Sequence, residues 1–143
     1  MAKPSYIVKE VEWRLYEKAL KEIRKAVFVV EQNVPLEIEW DGKDATAIHV
    51  LAIDVLDAHL GTARLLPTGQ IGRMAVLRKY RKLGIGSALL VHLLNISREH
   101  KIQDVFLNAQ VDAIDFYKRF GFIETGDIFM EAGIKHKKMV LNE

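Results

Sequence analysis

The feature that most constrains the fold is a change of hydrophobic pattern in the middle of the chain. A strand-like segment, Gln70–Val76, is followed by residues 84–100, where apolar side chains recur every three or four positions, and then by a short apolar run at 105–109. This order predicts a strand, an amphipathic helix and a second strand. A helical crossover between neighbouring strands places them parallel, so residues 70–109 are expected to form one βαβ unit.

The remaining segments predict antiparallel strands on either side of this unit. A strand at Tyr6–Val11 precedes a helix whose apolar stripe runs from Leu15 to Val30, and the polar residues 36–45 are expected to form a loop. A short helix is expected at 111–120. The other predicted strands are 46–55, 60–66, 122–130 and Ile134–Leu141. The expected fold class is α/β (α+β), with a mixed, mostly antiparallel central sheet and helices on both faces.

Length and composition fit one domain over residues 1–143 that buries its own core. The 143 residues are 50% hydrophobic, and 21 Lys and Arg against 19 Asp and Glu leave a formal net charge of 21 − 19 = +2. This balance argues against a nucleic-acid partner, which usually selects a strongly basic face. No apolar stretch has the length of a signal peptide or a membrane span, so we expect a cytoplasmic protein with no membrane partner.

Cysteine is absent, and the histidines are not spaced as metal ligands. Without cysteine the chain has no disulfide framework, no thiolate zinc site and no cysteine nucleophile. No pair among the five histidines has the spacing of a metal site, and we therefore expect no metal.

Residues 78–87 carry the strongest chemical signal, because they lie between a predicted strand and the start of the predicted helix. A helix N-terminus offers unpaired backbone N–H groups and a partial positive charge, and glycines such as Gly84 and Gly86 let a backbone approach a phosphate closely. Four basic side chains add to the attraction for an anion: Arg78, Lys79, Arg81 and Lys82. The segment therefore predicts a phosphate-bearing ligand.

Two common nucleotide-binding motifs do not fit this segment. A P-loop needs Gly-Lys followed by Ser or Thr at the helix start, but Gly86 is followed by Ser87 and an alanine. A dinucleotide fingerprint needs a third glycine at the position that Leu89 occupies. The pattern that remains is Arg81-x-x-Gly84-x-Gly86 at the opening of a helix.

This pattern resembles the pyrophosphate-binding loop of the GNAT (Gcn5-related) N-acetyltransferases, Arg/Gln-x-x-Gly-x-Gly/Ala. The segment from Arg73 to Val76 is similar to the strand that lies along the pantetheine arm in that family. Residues 113–122, which contain Phe116 and Tyr117, are similar to the family's second motif, Ala-x-x-Phe-Tyr-x-x-x-Gly-Phe. The resemblance covers nearly the whole chain, and the two motifs have the family's order and separation.

The resemblance implies that acetyl-CoA binds where the two parallel strands splay apart. Backbone N–H groups of residues 82–87 would hold the pyrophosphate, and the backbone of Met74 and Val76 would pair with the pantetheine. Tyr117 would protonate the departing thiolate as a general acid, and the acetyl group would pass directly to a primary amine, without an acyl-enzyme. The coenzyme-contacting residues implied in this way are Met74, Ala75, Val76, Arg81, Lys82, Leu83, Gly84, Ile85, Gly86, Ser87, Asn108, Phe116, Tyr117 and Arg119.

The sequence leaves the general base open, since Gln70–Val76 has no carboxylate where many family members carry a glutamate. The candidates are Glu31, Asp41, Asp44, His49, Glu131 and His136, with a water chain as a further alternative. We group Glu31 with Tyr117 as the catalytic pair. Candidate acceptor-binding residues are Gln32, Asp41, Asp44, His49, Glu131 and His136.

Other interpretations stay open at this point. Tyr117 as a packed aromatic residue and Asn108 as a turn residue are the plainer alternatives. The acidic residues within 37–44 form either a polar loop or the wall of an acceptor site that favours a cationic amine. The acceptor is then a small molecule or a peptide, and the resemblance is compatible with a homodimer. The alternative function is an acyl-CoA-binding sensor or regulatory module without turnover.

Overall fold

Residues 5–142, which the computed structural model describes, fold into seven β-strands and four α-helices. The strands are β1 (Tyr6–Val11), β2 (Ile48–Asp54), β3 (His59–Leu65), β4 (Gln70–Val76), β5 (Phe106–Gln110), β6 (Phe122–Glu131) and β7 (Ile134–Leu141). The helices are α1 (Trp13–Arg24), α2 (Leu36–Glu39), α3 (Ile85–Glu99) and α4 (Ile114–Lys118). No helix in this part of the chain is both long and apolar enough to cross a membrane.

All seven strands join one mixed sheet in the order β1-β2-β3-β4-β5-β7-β6. Strands β1 to β4 form an antiparallel meander, and the hairpin of β6 and β7 joins the sheet through β5. The helix α3 crosses over from β4 to β5, and these two strands pair in parallel. The expected fold class and the expected βαβ unit are therefore confirmed.

Helices cover both faces of the sheet, and the strand β2 is accordingly apolar on both of its faces. Val50 and Ala52 belong to the core beneath α3, together with Leu89. Leu51 and Ile53 belong to the core beneath α1. Because side chains alternate between the faces of a strand, a continuous apolar run fits a strand that is buried on both sides.

The parallel pair opens after a short stretch of pairing. The register of β4 and β5 joins Gln70 to Phe106 and Ile71 to Leu107, and within the described residues it goes no further. Beyond this point the facing edges of the two strands lack a strand partner for their backbone groups. The divergence, which agrees with the expected splay, opens a cleft in the sheet beside the N-terminus of α3.

A β-bulge in β4 lies at the start of this cleft. The register with β3 skips between Gly72 and Ala75, so that two residues, Arg73 and Met74, stand opposite one residue of β3. Arg73 has a φ of 49°, in the left-handed region that costs a non-glycine residue about 1–2 kcal/mol. A bulge bends its strand and redirects side chains, and here both affected side chains line the cleft.

The first helical region and the acidic segment differ from expectation. The helix α1 ends at Arg24 and continues as a π-helical segment, Lys25–Glu31. Because a π-turn contains more residues than an α-turn, the phase of the side chains shifts. The expected apolar stripe is wrong at both ends, since Leu15 is 67% and Val30 is 69% exposed.

Two short helices also depart from the expected boundaries. The segment 36–45 is not all loop, because it contains α2, which begins after Pro35. Proline suits the start of a helix, since the N–H groups there have no partner within the helix. The helix expected over 111–120 is shorter: a 3-10 turn, Val111–Ala113, precedes α4.

Candidate active site

A cavity of about 970 Å³ occupies the cleft between the diverging strands. One part of its lining comes from β4, from the loop before α3, from β5 and from α4. The rest comes from the segment 28–43, from Arg64 of β3 and from the hairpin of β6 and β7. Parts of the chain that are far apart in sequence thus meet around one space.

Most of the residues expected to contact the coenzyme line this cavity. They are Met74, Val76, Arg81, Lys82, Gly84, Ile85, Gly86, Ser87, Asn108, Phe116, Tyr117 and Arg119. Two others do not: the side chain of Ala75 lies in the core beneath α1, and Leu83 packs against the core beneath α3. Alternation along β4 accounts for Ala75, because its two neighbours point to the opposite face.

The loop that leads into α3 presents a row of free backbone donors. Among the described residues, none accepts a hydrogen bond from the N–H groups of residues 82–87, and α3 has no side-chain N-cap. Left-handed φ angles of 64° at Lys82 and 83° at Gly84 shape the loop. N–H groups without a partner among the described residues, at the N-terminus of a 15-residue helix, are the usual setting for anion binding, since the helix dipole adds partial positive charge there.

The guanidinium group of Arg81 is held by the protein itself. Its Nη1 and Nη2 donate to the two carboxylate oxygens of Glu31 at 2.6 and 2.7 Å, and its Nε donates to the carbonyl of Val76 at 2.9 Å. Hydrogen bonds from Arg81 lower the pKa of Glu31, so this carboxylate stays ionised. Glu31 is not part of the cavity lining. The structure thus places Glu31 against Arg81 of the loop, one residue behind the cavity lining.

The hydroxyl group of Tyr117 lies in the cleft beside Met74. It donates to Sδ of Met74 at 3.9 Å, and no other described residue accepts a hydrogen bond from it. Burial raises the pKa of Tyr117 to about 12, so the phenol is protonated at neutral pH. The ring of Phe116 packs edge-on against it, with the centroids 5.1 Å apart. The arrangement holds a proton donor with one weak acceptor at the opening between β4 and β5.

His136 of β7 lines the cavity with a defined tautomer. Its Nδ1 lies 2.7 Å from the carbonyl oxygen of Ile134, which can only accept, so Nδ1 carries the hydrogen. In the neutral ring Nε2 is therefore an acceptor, and it lies 3.7 Å from a carboxylate oxygen of Glu131. His136 thus offers a lone pair next to an acidic side chain.

The expected acceptor-binding residues divide into two groups. Those that line the cavity are Gln32, Asp41, Glu131 and His136. Asp44 and His49 lie outside it: Nε2 of His49 is 2.9 Å from the carbonyl oxygen of Asp44, and the ring of His49 stacks on Trp13 at 4.9 Å. Burial lowers the pKa of His49, which favours a neutral ring with a structural role.

Three arginines and three carboxylates form an ion cluster along one side of the cavity. Its members are Arg24, Arg64, Arg73, Glu39, Asp41 and Asp44. Arg24 is 1% exposed and donates to Glu39 and to Asp44, each at 2.7 Å. The formal charges of the cluster sum to 3 − 3 = 0.

The acidic segment is therefore neutralised and does not present a negative field. Arg64 binds both carboxylate oxygens of Asp41, at 3.0 and 2.8 Å. Burial alone would raise the pKa of Asp41, but the hydrogen bonds and charge of Arg64 hold it well below its usual range. The structure thus pairs Asp41 and Asp44 with arginines, which removes the reason to expect a cationic acceptor from this segment.

Sequence reasoning missed Arg24 and Arg64 as members of a site, although a signal was present. Arg24 lies between the apolar residues Ile23 and Val27, and Arg64 stands in the middle of a strand expected to be buried. A charge at a buried position needs a partner, because desolvation is otherwise too costly. The acidic residues within 37–44 are the nearest unassigned partners in the sequence, and they are the ones used.

Comparisons with known proteins agree with this geometry. A family model described as an acetyltransferase (GNAT) domain matches residues 15–143. YjcF of Bacillus subtilis (strain 168), an uncharacterized N-acetyltransferase, is 32% identical over 122 residues, which cover 82% of this chain and 86% of YjcF. The crystal structure of Escherichia coli ElaA superposes with a TM-score of 0.86 at 31% identity, over 95% of this chain and 99% of ElaA.

An acyl-CoA N-acyltransferase from Pseudomonas aeruginosa is also similar, with a TM-score of 0.80 at 29% identity over 98% of this chain and 100% of that chain. The family match begins within α1 and extends through β7. The alignments also include most of the length of each relative and each solved structure. The chain therefore belongs to the GNAT acetyltransferase family.

Proposed function

We propose that the protein is an acetyl-CoA-dependent N-acetyltransferase that acetylates a primary amine of a small molecule or a peptide. The observation that carries the proposal is the row of six N–H groups at residues 82–87 that no residue within 5–142 accepts, at the same cavity as the buried hydroxyl of Tyr117. An anion site and a proton donor in one cleft suit a ligand that carries both a pyrophosphate and a thioester.

Bound acetyl-CoA would lie along the inner edge of β4. The N–H groups of residues 82–87 would take the pyrophosphate oxygens, and the backbone of Met74 and Val76, which has no β5 partner, would pair with the pantetheine arm. Asn108 on the facing strand lines the same cleft and offers its amide. One N–H group of β4 would polarise the thioester carbonyl, where negative charge develops in the transition state.

The transfer needs one proton donor and one proton acceptor. The amine nitrogen attacks the thioester carbonyl carbon, the carbon–sulfur bond breaks, and Tyr117 gives its proton to the departing sulfur. Because the hydroxyl of Tyr117 is otherwise bound to the weak acceptor Sδ of Met74, it is free to turn to the thiolate. The products are the N-acetylated amine and coenzyme A.

We assign His136 as the group that accepts the proton from the attacking amine. Its Nε2 has the free lone pair, and the nearby carboxylate of Glu131 would stabilise the imidazolium that forms. Two of the other candidates are less suited, because Glu31 is bound by Arg81 and Asp41 is bound by Arg64. His136 combines a place in the cavity with an uncommitted acceptor atom.

A thiol-release assay with acetyl-CoA and a panel of primary amines tests the proposal, while calorimetry measures coenzyme binding separately. We expect acetylation that is reduced by His136→Gln and is unchanged by His100→Gln, a matched control at the far end of α3. Tight binding of acetyl-CoA with no turnover on any amine would overturn the proposal and would favour a non-catalytic acyl-CoA sensor.

A further inference from the structure

One side of the cavity has a charge pattern that the transfer reaction does not use. Its charged residues, which we call the charged wall, are Glu39, Asp41, Lys43, Arg64 and Arg73. Three cations and two anions give the charged wall a formal charge of 3 − 2 = +1. The other members of the ion cluster, Arg24 and Asp44, compensate each other behind it.

Both carboxylates of the charged wall are already paired with arginines. Asp41 accepts from Arg64 through both oxygens and from Nη2 of Arg73 at 3.2 Å. Glu39 accepts from Nε of Arg24 at 2.7 Å. An ammonium group entering here would have to displace an arginine that is itself buried, and this exchange would be costly. The charged wall is therefore unsuited to a second cationic group on the acceptor.

Arg73, in contrast, has a hydrogen-bond donor, Nη1, that none of the described residues accepts. Its Nη2 donates to the carbonyl of Glu39 at 3.2 Å and to Asp41, which fixes one end of the guanidinium group. Its Nη1 donates to none of the described residues, and its side chain lines the cavity with 24% of its surface exposed. Nε lies 3.1 Å from Glu39 without hydrogen-bond alignment. The guanidinium group is thus anchored but only partly bonded.

Lys43 is a further cation of the charged wall, and it differs from Arg73, which is paired with Glu39 and Asp41. It is exposed, it lines the cavity, and its ammonium group makes no ion pair with any residue in the range 5–142. A single negative charge placed between Lys43 and Arg73 would balance the surplus of +1. A dianion would exceed that surplus, and the nearby carboxylates of Asp41 and Glu39 would repel its second negative charge.

We propose that the charged wall binds a carboxylate on the acceptor, so that the substrate class is primary amines that also carry a carboxylate, such as amino acids and ω-amino carboxylates. Nη1 of Arg73 donates to the carboxylate, and Lys43 attracts it from the cavity mouth. The proposal rests on the proposed acetyl transfer and is opposite to the cationic acceptor that the acidic segment suggested.

Matched acceptor pairs test the proposal in the thiol-release assay. Each protein amino acid, and each ω-amino carboxylate from β-alanine upward, is compared with its carboxamide. Because the carboxylate would gain one charge-assisted hydrogen bond, we expect kcat/KM for the best carboxylate acceptor to be about ten- to hundredfold above that for its carboxamide. The Arg73→Gln variant is expected to lose most of this ratio, and to lose it through KM.

A second variant tests the same carboxylate preference without changing the ion cluster, in case Arg73→Gln disturbs the fold. Lys43→Gln changes an exposed side chain and is expected to lower the same ratio about twofold to fivefold, since an exposed charge acts through water. Lys18→Gln on α1 replaces a lysine outside the cavity lining and serves as the matched control, with no expected change.

The outcomes separate this proposal from the proposed function. Acetylation of amides as efficient as that of the carboxylates would overturn the charged wall as a carboxylate site and leave N-acetyl transfer standing. A preference for an amine that carries a phosphate monoester over its carboxylate counterpart would overturn the choice of a monoanion. Coenzyme binding with no turnover on any acceptor would overturn both proposals.

Discussion

The loop before α3 and the ion cluster use different kinds of chemical group. The loop at residues 82–87 offers backbone N–H groups, which are present whatever side chains the loop carries. The ion cluster consists of six side chains from α1, α2, β3, β4 and the segment after α2, and each one is bonded to others. The loop should therefore tolerate substitutions that add no obstacle, whereas the cluster should not tolerate the loss of a single partner.

The largest expected effect is on the ion cluster. Arg24→Met leaves Glu39 and Asp44 buried without their shared cation, and we expect a loss of about 3–5 kcal/mol in the free energy of unfolding. Urea denaturation measures this loss. Arg14→Met, at an exposed arginine of the same helix, is the control and should change stability little. A loss below about 1 kcal/mol for Arg24→Met would contradict the prediction, because it would show that Glu39 and Asp44 do not depend on Arg24.

The next largest effect is on the reaction itself, at Tyr117 in the lining of the same cavity. Tyr117→Phe keeps the ring packing and removes the proton donor, and we expect kcat to fall about a hundredfold. The dissociation constant of acetyl-CoA should stay nearly unchanged, because the hydroxyl makes its hydrogen bond to Met74 and not to the loop at residues 82–87. Steady-state kinetics with calorimetry separates the two quantities, and wild-type turnover would reassign Tyr117 to packing.

A smaller effect is expected when the loop receives an obstacle. Gly84→Asp adds a negative charge and a side chain at a φ of 83°, beside the proposed pyrophosphate site. Repulsion should raise the dissociation constant of acetyl-CoA at least about tenfold. Gly126→Asp is the matched control, since Gly126 has a similar φ of 75° and open space around it but lies outside the cavity lining. Equal affinity of both variants would show that the loop does not bind the pyrophosphate.

The smallest effect concerns the position of the loop. Glu31→Gln weakens the ion pair that holds Arg81, and we expect the dissociation constant of acetyl-CoA to rise about threefold, with the pH profile of kcat unchanged. Glu37→Gln, at an exposed glutamate of α2, provides the comparison. A loss of kcat that depends on pH, without a change in coenzyme affinity, would instead make Glu31 the general base.

The position of the loop before α3 is predictable because its signal is local. The pattern Arg81-x-x-Gly84-x-Gly86 at the start of a periodic helix identifies the loop within one short segment. The strand β4 was expected at its observed bounds for the same reason. In the first helix, local periodicity was misleading, because the buried face includes Arg24 and excludes Leu15 and Val30.

The charged wall was not predictable, because its residues are brought together by the fold. Arg73 lies at a bulge with left-handed φ, and no local pattern marks that residue as one that leaves the regular strand. Its partners Asp41 and Glu39 come from a segment expected to be a loop. The buried positions of Arg24 and Arg64 indicate that acidic partners are needed, but nothing in the sequence pairs Asp41 or Glu39 with Arg73.

The sequence by itself determined the order of the elements, the parallel pair within a mostly antiparallel sheet, and the helix start that presents free N–H groups. These follow from hydrophobic period, chain connectivity and backbone chemistry, which act over short distances along the chain. Only the tertiary structure decided which charges compensate each other, which histidine faces the cavity and which arginine keeps a free donor. Those outcomes depend on burial, and burial exists only once distant segments have packed.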